Sequence, residues 1–141
     1  MDSKHQNGAE AELRAALWYT EQGYTIFWPS ATHTPCDFIA LNKGTNEIVR
    51  VQVKSAYWMT RPTGRSYLMC TTRKGCGSGG YDTYTEDDCD VIVISDRSKR
   101  LWVIPVDALE GAQSVCLDKG QDDRTRRTKR SFSPEKYEVT C

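Results

Sequence analysis

The sequence shows no surplus of charge: 19 Lys and Arg stand against 19 Asp and Glu in 141 residues. A uniformly basic nucleic-acid binder is thereby excluded, although a locally basic one is not. No apolar run approaches the roughly 18 residues of a membrane-spanning helix. The opening residues 1–8 lack the apolar core of a signal peptide, so an intracellular, reduced chain with no membrane partner is expected. Histidine occurs only as His5 and His33. The six cysteines, Cys36, Cys70, Cys76, Cys89, Cys116 and Cys141, contain no C-x-x-C pair, so zinc-ribbon spacing is missing. Free thiols are expected. A zinc-stabilised interaction protein built on Cys70, Cys76 and Cys89 would need His5 or His33 as its fourth ligand. Repeats and interior linkers are absent too.

What is present suits a folded domain. Apolar residues make up 38% and aromatics 10%, with four Trp and seven Tyr, against the aromatic scarcity of disordered chains. The length predicts a single domain over residues 1–141, ending in a polar, basic segment from about residue 113. Residues 8–22 predict a helix, with Ala9, Leu13, Ala16, Leu17 and Thr20 on one apolar face. Asn7 is placed to cap its start and Gly23 to end it. Strands are predicted at 24–28, 36–41, 47–54, 67–71, 91–95 and 101–104, with a turn at 42–46 and a short helix at 105–109. Residues 74–80 are glycine-rich and predict a loop. It lacks the G-x-x-x-x-G-K-[ST] of a nucleotide-binding loop. Trp18, Trp28 and Trp102 are expected in the core.

Residues 47–54 carry the chemistry. A strand alternates faces with period two. Val49, Val51 and Val53 therefore share a core face, while Arg50, Gln52 and Lys54 share the other. If this strand pairs with the one that Asp37 opens, Asp37 lies near Gln52 and Lys54. With Glu12 from the helix, two carboxylates, an amide and an amine converge. A hard divalent cation such as magnesium wants oxygen ligands. Asp37 offers a charged oxygen, Gln52 an amide oxygen and Val53 its backbone carbonyl. Glu12 binds the metal or holds a water beside it. Such a metal promotes attack on a phosphodiester, and Lys54 orients or deprotonates the water or neutralises developing charge. The bland alternative is a solvated strand face with unrelated charges.

These residues resemble the PD-(D/E)XK nuclease superfamily. Asp37 stands for the motif Asp, with Cys36 between it and Pro35, and Gln52-Val53-Lys54 stands where (D/E)-X-K would stand. Gln-Val-Lys is similar to the variant in group I intron homing endonucleases of this fold. Residues 8–13, with Gly23-Tyr24 at the helix end, resemble their opening helix, and Glu12 aligns with the family glutamate. Tyr84, Asp90, residues 91–94 and residues 102–106 resemble their later strands. The resemblance implies an α/β restriction-endonuclease-like core, a mixed sheet of about five strands flanked by helices, one of them on the sheet's other face. It implies a magnesium-dependent endonuclease of double-stranded DNA, most closely a homing type, with manganese as a substitute metal. A homodimer or homotetramer in the cytoplasm of a bacterial or phage-infected cell is also implied. A Holliday junction resolvase of the same fold and a catalytically inactive DNA-binding module, with Gln52 as its suspect residue, are the alternatives.

Basic residues outside the motif are candidate DNA contacts. Arg124, Arg126, Arg127, Lys129 and Arg130 place five cations within seven residues. Each phosphate they neutralise would steepen the salt dependence of binding; otherwise they are a solvated tail offset by Asp118, Asp122 and Asp123. Arg61 and Arg65 follow the motif lysine, in a DNA-contacting loop or a long surface hairpin. Arg73 and Lys74 open the glycine-rich segment.

Overall fold

The valine alternation of residues 47–54 sets the architecture. In the computed structural model, which describes residues 3–75, 80–120 and 132–139 and the side chains of all these except 3–5 and 81, this segment is the long strand β3, Glu47–Ser55. Before it come helix α1 (Ser3–Glu21), β1 (Tyr24–Phe27) and β2 (Phe38–Asn42). After it come β4 (Tyr57–Thr60), β5 (Ser66–Thr71), β6 (Arg73–Gly75), β7 (Tyr81–Thr83), β8 (Val91–Ser95) and β9 (Leu101–Pro105). A 3-10 turn at Val106–Leu109 leads to β10 (Ser114–Asp118), and a second at Pro134–Lys136 leads to β11 (Glu138–Val139).

Six strands form the main sheet, in the order β1-β2-β3-β8-β9-β11. β3 and β8 run parallel and the other neighbours antiparallel, so the predicted mixed α/β sheet is present. Val49, Val51 and Val53 are buried against α1 with Ala11, Ala15 and Tyr19. Each such valine contributes about 1.5–3 kcal/mol, and a one-residue slip of β3 would turn all three to the other face. Their burial thereby fixes the direction of Gln52 and Lys54.

The helix departs from expectation in two ways. It begins five residues earlier than predicted, at Ser3, and it buries a different stripe. Ala11, Ala15, Ala16 and Tyr19 face the sheet, whereas Leu13 is 64% and Leu17 58% exposed. Both stripes are apolar, and periodicity cannot rank them. The alanine stripe lets the helix lie close on the valines, and Tyr19 meets Trp18, Tyr24 and Phe38 edge-on. Gly23 follows the helix at φ +94°, the left-handed position that favours glycine.

The opposite face of the sheet carries a second sheet where a helix was expected. Its order is β10-β5-β4. Leu68 and Cys70 from β5 and Val115 and Leu117 from β10 pack with Ile92, Ile94, Trp102 and Ile104. β10 lies within the segment read as polar and basic from about residue 113: its buried run is only three residues long, Val115 to Leu117, between polar neighbours that hide it. Of the predicted loop over 74–80, Lys74 and Gly75 belong instead to β6, which pairs with β7; residues 76–79 lie outside the described residues. Trp102 is fully buried as expected, Trp18 partly so, but Trp28 is 50% exposed. Cys36, Cys70 and Cys89 are free thiols; Cys76 and Cys141 lie outside the described residues.

Candidate active site

The site forms where β2 begins beside the end of β3. Asp37 immediately precedes β2, whose Phe38 pairs with Val51. Its N–H donates to the Val51 carbonyl at 2.8 Å, and its Oδ2 accepts the Val53 N–H at 2.7 Å. The carboxylate thus stands in for the strand that β3 has outrun. The N–H and C=O of one strand residue point to the same neighbour, so the Val53 carbonyl is directed to the Asp37 side as well. Gln52 and Lys54 flank Val53 on the other face of β3, level with Ile92 and Ile94 of β8.

Glu12 reaches this corner from α1. Burial, then the charge of Asp37, then a hydrogen bond with it raise the Glu12 carboxyl above its ordinary value. Burial raises Asp37 too, opposed by the Val53 N–H, the Lys54 charge and the Glu12 hydrogen bond. Two carboxyl groups thus sit in contact with one ammonium nearby. The Lys54 Nζ lies 5.2 Å from the centroid of the Tyr84 ring, a cation–π placement that limits where the lysine can point. Glu12, Asp37 and Lys54 are thus brought together from α1, the start of β2 and β3, whereas Gln52 is placed only by its position on β3, beside Val53.

This donor set fits a hard divalent cation. It offers two carboxylates, an amide oxygen and a strand carbonyl, all hard oxygens. Among the described residues no three His, Cys, Asp or Glu side chains gather at one point. Cys70 and Cys89 are buried, and that burial pushes both thiols up to about 12, the opposite of what a thiolate ligand needs.

The basic candidates are dispersed. Arg61 and Arg65 close the β4–β5 turn, where the Arg61 N–H donates to the Arg65 carbonyl at 2.8 Å; the segment is a surface hairpin, and Arg61 stacks on Tyr67 at 4.8 Å. Arg73 opens β6 opposite Thr83. Lys74 donates to Asp88 Oδ1 at 2.7 Å, so its charge is already paired. Arg124, Arg126, Arg127, Lys129 and Arg130 lie outside the described residues. Sequence reasoning missed two structural ties around the site. Arg50 grips Asp90, with NH2 on Oδ1 at 3.0 Å and its own backbone N–H on Oδ2 at 2.8 Å, locking β3 to the start of β8. Arg14 donates from Nε to Ser95 Oγ at 2.8 Å, across 81 residues of sequence. No local motif signals either tie.

The PD-(D/E)XK endonuclease family matches residues 1–140, and the chain belongs to that family. It is similar to Protein 5.3 of Escherichia phage T7, with 29% identity over 119 residues, 84% of this chain and 94% of that one. Its fold is similar to the solved structure of a bacterial homing endonuclease, I-Ssp6803I. The TM-score is 0.72 at 20% identity, covering 97% of this chain and 89% of the other.

Proposed function

We propose that this chain is a divalent-metal-dependent DNA endonuclease that cuts duplex DNA at specific sites. The observation that carries this reading is the contact of the Glu12 and Asp37 carboxyl groups beside Lys54, on the strand bearing Gln52-Val53-Lys54. Asp37, Gln52, the Val53 carbonyl and Glu12 would hold magnesium, or manganese in its place. When bound, the metal would stabilise charge on the scissile phosphate and promote attack by water. Asp37 is held rigid by the Val53 N–H, so its second oxygen keeps a fixed direction. Lys54 balances the two carboxylates in the resting site and faces the phosphate when DNA is bound. Glu12 takes or returns a proton at its carboxyl oxygen, a role that fits its raised protonation range.

Supporting the wider reading, Arg61 and Arg65 sit on a surface hairpin suited to phosphate contact, with Arg73 and the basic residues 124–130 as further contributors; Lys74 would have to give up Asp88 to join them. Site-specific, homing-type cutting is supported by the likeness to the homing endonuclease fold, and an infected cell's cytoplasm by the phage relative. A homodimer or homotetramer is supported by the uncovered Leu13 and Leu17 on α1.

The test is cleavage of linear duplex, supercoiled plasmid and a four-way junction in magnesium and in manganese, with Asp37→Asn as control. Discrete duplex or plasmid products are expected. The variant should lose them by more than about a hundredfold with an unchanged circular dichroism spectrum. Cleavage retained by Asp37→Asn would overturn the site assignment. Cutting of the junction alone would replace the site-specific reading with a resolvase. Activity appearing only in Gln52→Glu would mark the natural chain as a binding module.

A further inference from the structure

Beyond Lys54 the chain leaves one sheet for the other, and the crossing opens a cavity of about 690 Å³. The N-terminal half of α1, the ends of β3 and β8, and β4 all contribute to its lining. Part of that lining is aromatic, from Tyr57 and Trp58. Another part is cationic, from Arg14 on α1 and Arg97 after β8. Arg14 is held in place: Nε bonds Ser95 Oγ at 2.8 Å, and NH1 lies 4.0 Å from Glu10, itself half exposed. Asp96 also lines the cavity, but its carboxylate is committed, accepting the Ser98 hydroxyl and the Arg100 N–H at 2.8 Å each. Those donors are neutral and leave Asp96 its charge, so among the lining residues two guanidinium groups stand against one carboxylate.

Trp58 is 51% exposed, which is unusual for so large an apolar side chain, and it is fixed from one side. A Cβ on Gly120 would fall 2.8 Å from its Cζ3 and 2.6 Å from the Ser66 carbonyl oxygen, so only glycine lets the chain pass there. A half-exposed, braced indole beside two guanidinium groups is the combination that receives a nucleotide. The ring stacks on a base, and the cations pair with its phosphate. The volume lies within the roughly 300–1,000 Å³ of small-ligand sites. It admits a nucleotide outside the helical stack and not a paired duplex.

We propose that this cavity is a subsite for an unpaired nucleotide of the DNA substrate, one residue beyond the motif lysine. The proposal rests on the endonuclease reading and deepens it: the favoured substrate carries a base already displaced from its duplex. Extruding a paired base costs a few kcal/mol, so a substrate with an unpaired nucleotide binds more tightly by that difference. A free mononucleotide has the same chemistry, and the test separates the two sources.

Binding is measured by fluorescence anisotropy in EDTA, where no cutting occurs. The probes are a fully paired duplex, the same duplex with one extra nucleotide in one strand, and dAMP as competitor. The bulged duplex should bind at least about tenfold more tightly than the paired one. Trp58→Ala should erase the difference, and Trp58→Phe should restore most of it. Equal affinity for both duplexes, or a preference that survives Trp58→Ala, overturns the subsite while leaving the endonuclease reading intact. Binding of dAMP lost in Trp58→Ala, with no preference for the bulge, overturns it in favour of a free-nucleotide site. Failure to bind any DNA removes the endonuclease reading and the subsite together.

Discussion

Asp37 works against the ionisation of Glu12, burial works against both, and that opposition is measurable. Both carboxyl groups are raised in the folded chain. Between the ordinary carboxylate range, about pH 4, and the raised folded values, the folded chain keeps protons that the unfolded chain has released. Stability therefore falls as pH rises through that window. Above it both groups are charged and repel. Glu12→Gln should raise the melting temperature at pH 8 in EDTA, and the gain should shrink to nothing as pH falls below about 4. Thermal fluorimetry across pH checks this; a variant that melts lower at pH 8 would show that the two groups do not oppose each other. Added magnesium should narrow the gap by stabilising the natural chain more. The meeting of Glu12, Asp37 and Lys54 was legible in the sequence, because order, strand parity and residue type point to it. Arg14 was not, because its partner Ser95 lies 81 residues away and only the lie of α1 across β8 joins them.

At the scale of elements, α1 shows how periodicity can find a helix and miss its inner face. A stripe of alanines and a stripe of leucines lie side by side, and hydrophobicity favours the leucines. Close packing on a valine sheet favours the alanines, which are the ones buried. Leu13 and Leu17, four residues apart, then form an outward ridge. If that ridge is the contact between copies, Leu17→Glu should shift the mass measured by light scattering toward a monomer while leaving the helical signal unchanged. An unchanged mass, whether of an oligomer or of a natural chain already monomeric, would count against the ridge. The strands tell a similar story. β3 and β8 were readable because their apolar residues are many and β-branched. β10 was not, because it shows only Val115, Cys116 and Leu117 between polar neighbours and takes its stability from pairing with β5, distant in sequence.

For the whole molecule, the α/β class and the mixed sheet could be read from the sequence, whereas the second layer could not. A parallel connection commonly uses a helix, and helix was the natural expectation for the far face. Here the connection from β3 to β8 is itself built of strands, and nothing in the local pattern announces that β5 will find β10 beyond β9. The chain thus alternates between its two larger sheets: β3 belongs to one, β4 and β5 to the other, β8 and β9 to the first, β10 to the second, β11 to the first again, with β6 and β7 as a separate pair. Neither sheet is a continuous stretch of chain, so neither can form or melt as a subdomain. Urea unfolding followed by circular dichroism and by the fluorescence of the buried Trp102 and its fellow tryptophans should give coincident, all-or-none transitions; separated midpoints would show that the sheets come apart singly. The interleaving also bears on β3. The Val53 amide, bonded to Asp37, should exchange its hydrogen only through global opening, at the slowest rate in the molecule. The candidate site would then have no partly unfolded form: the chain carries it complete or not at all.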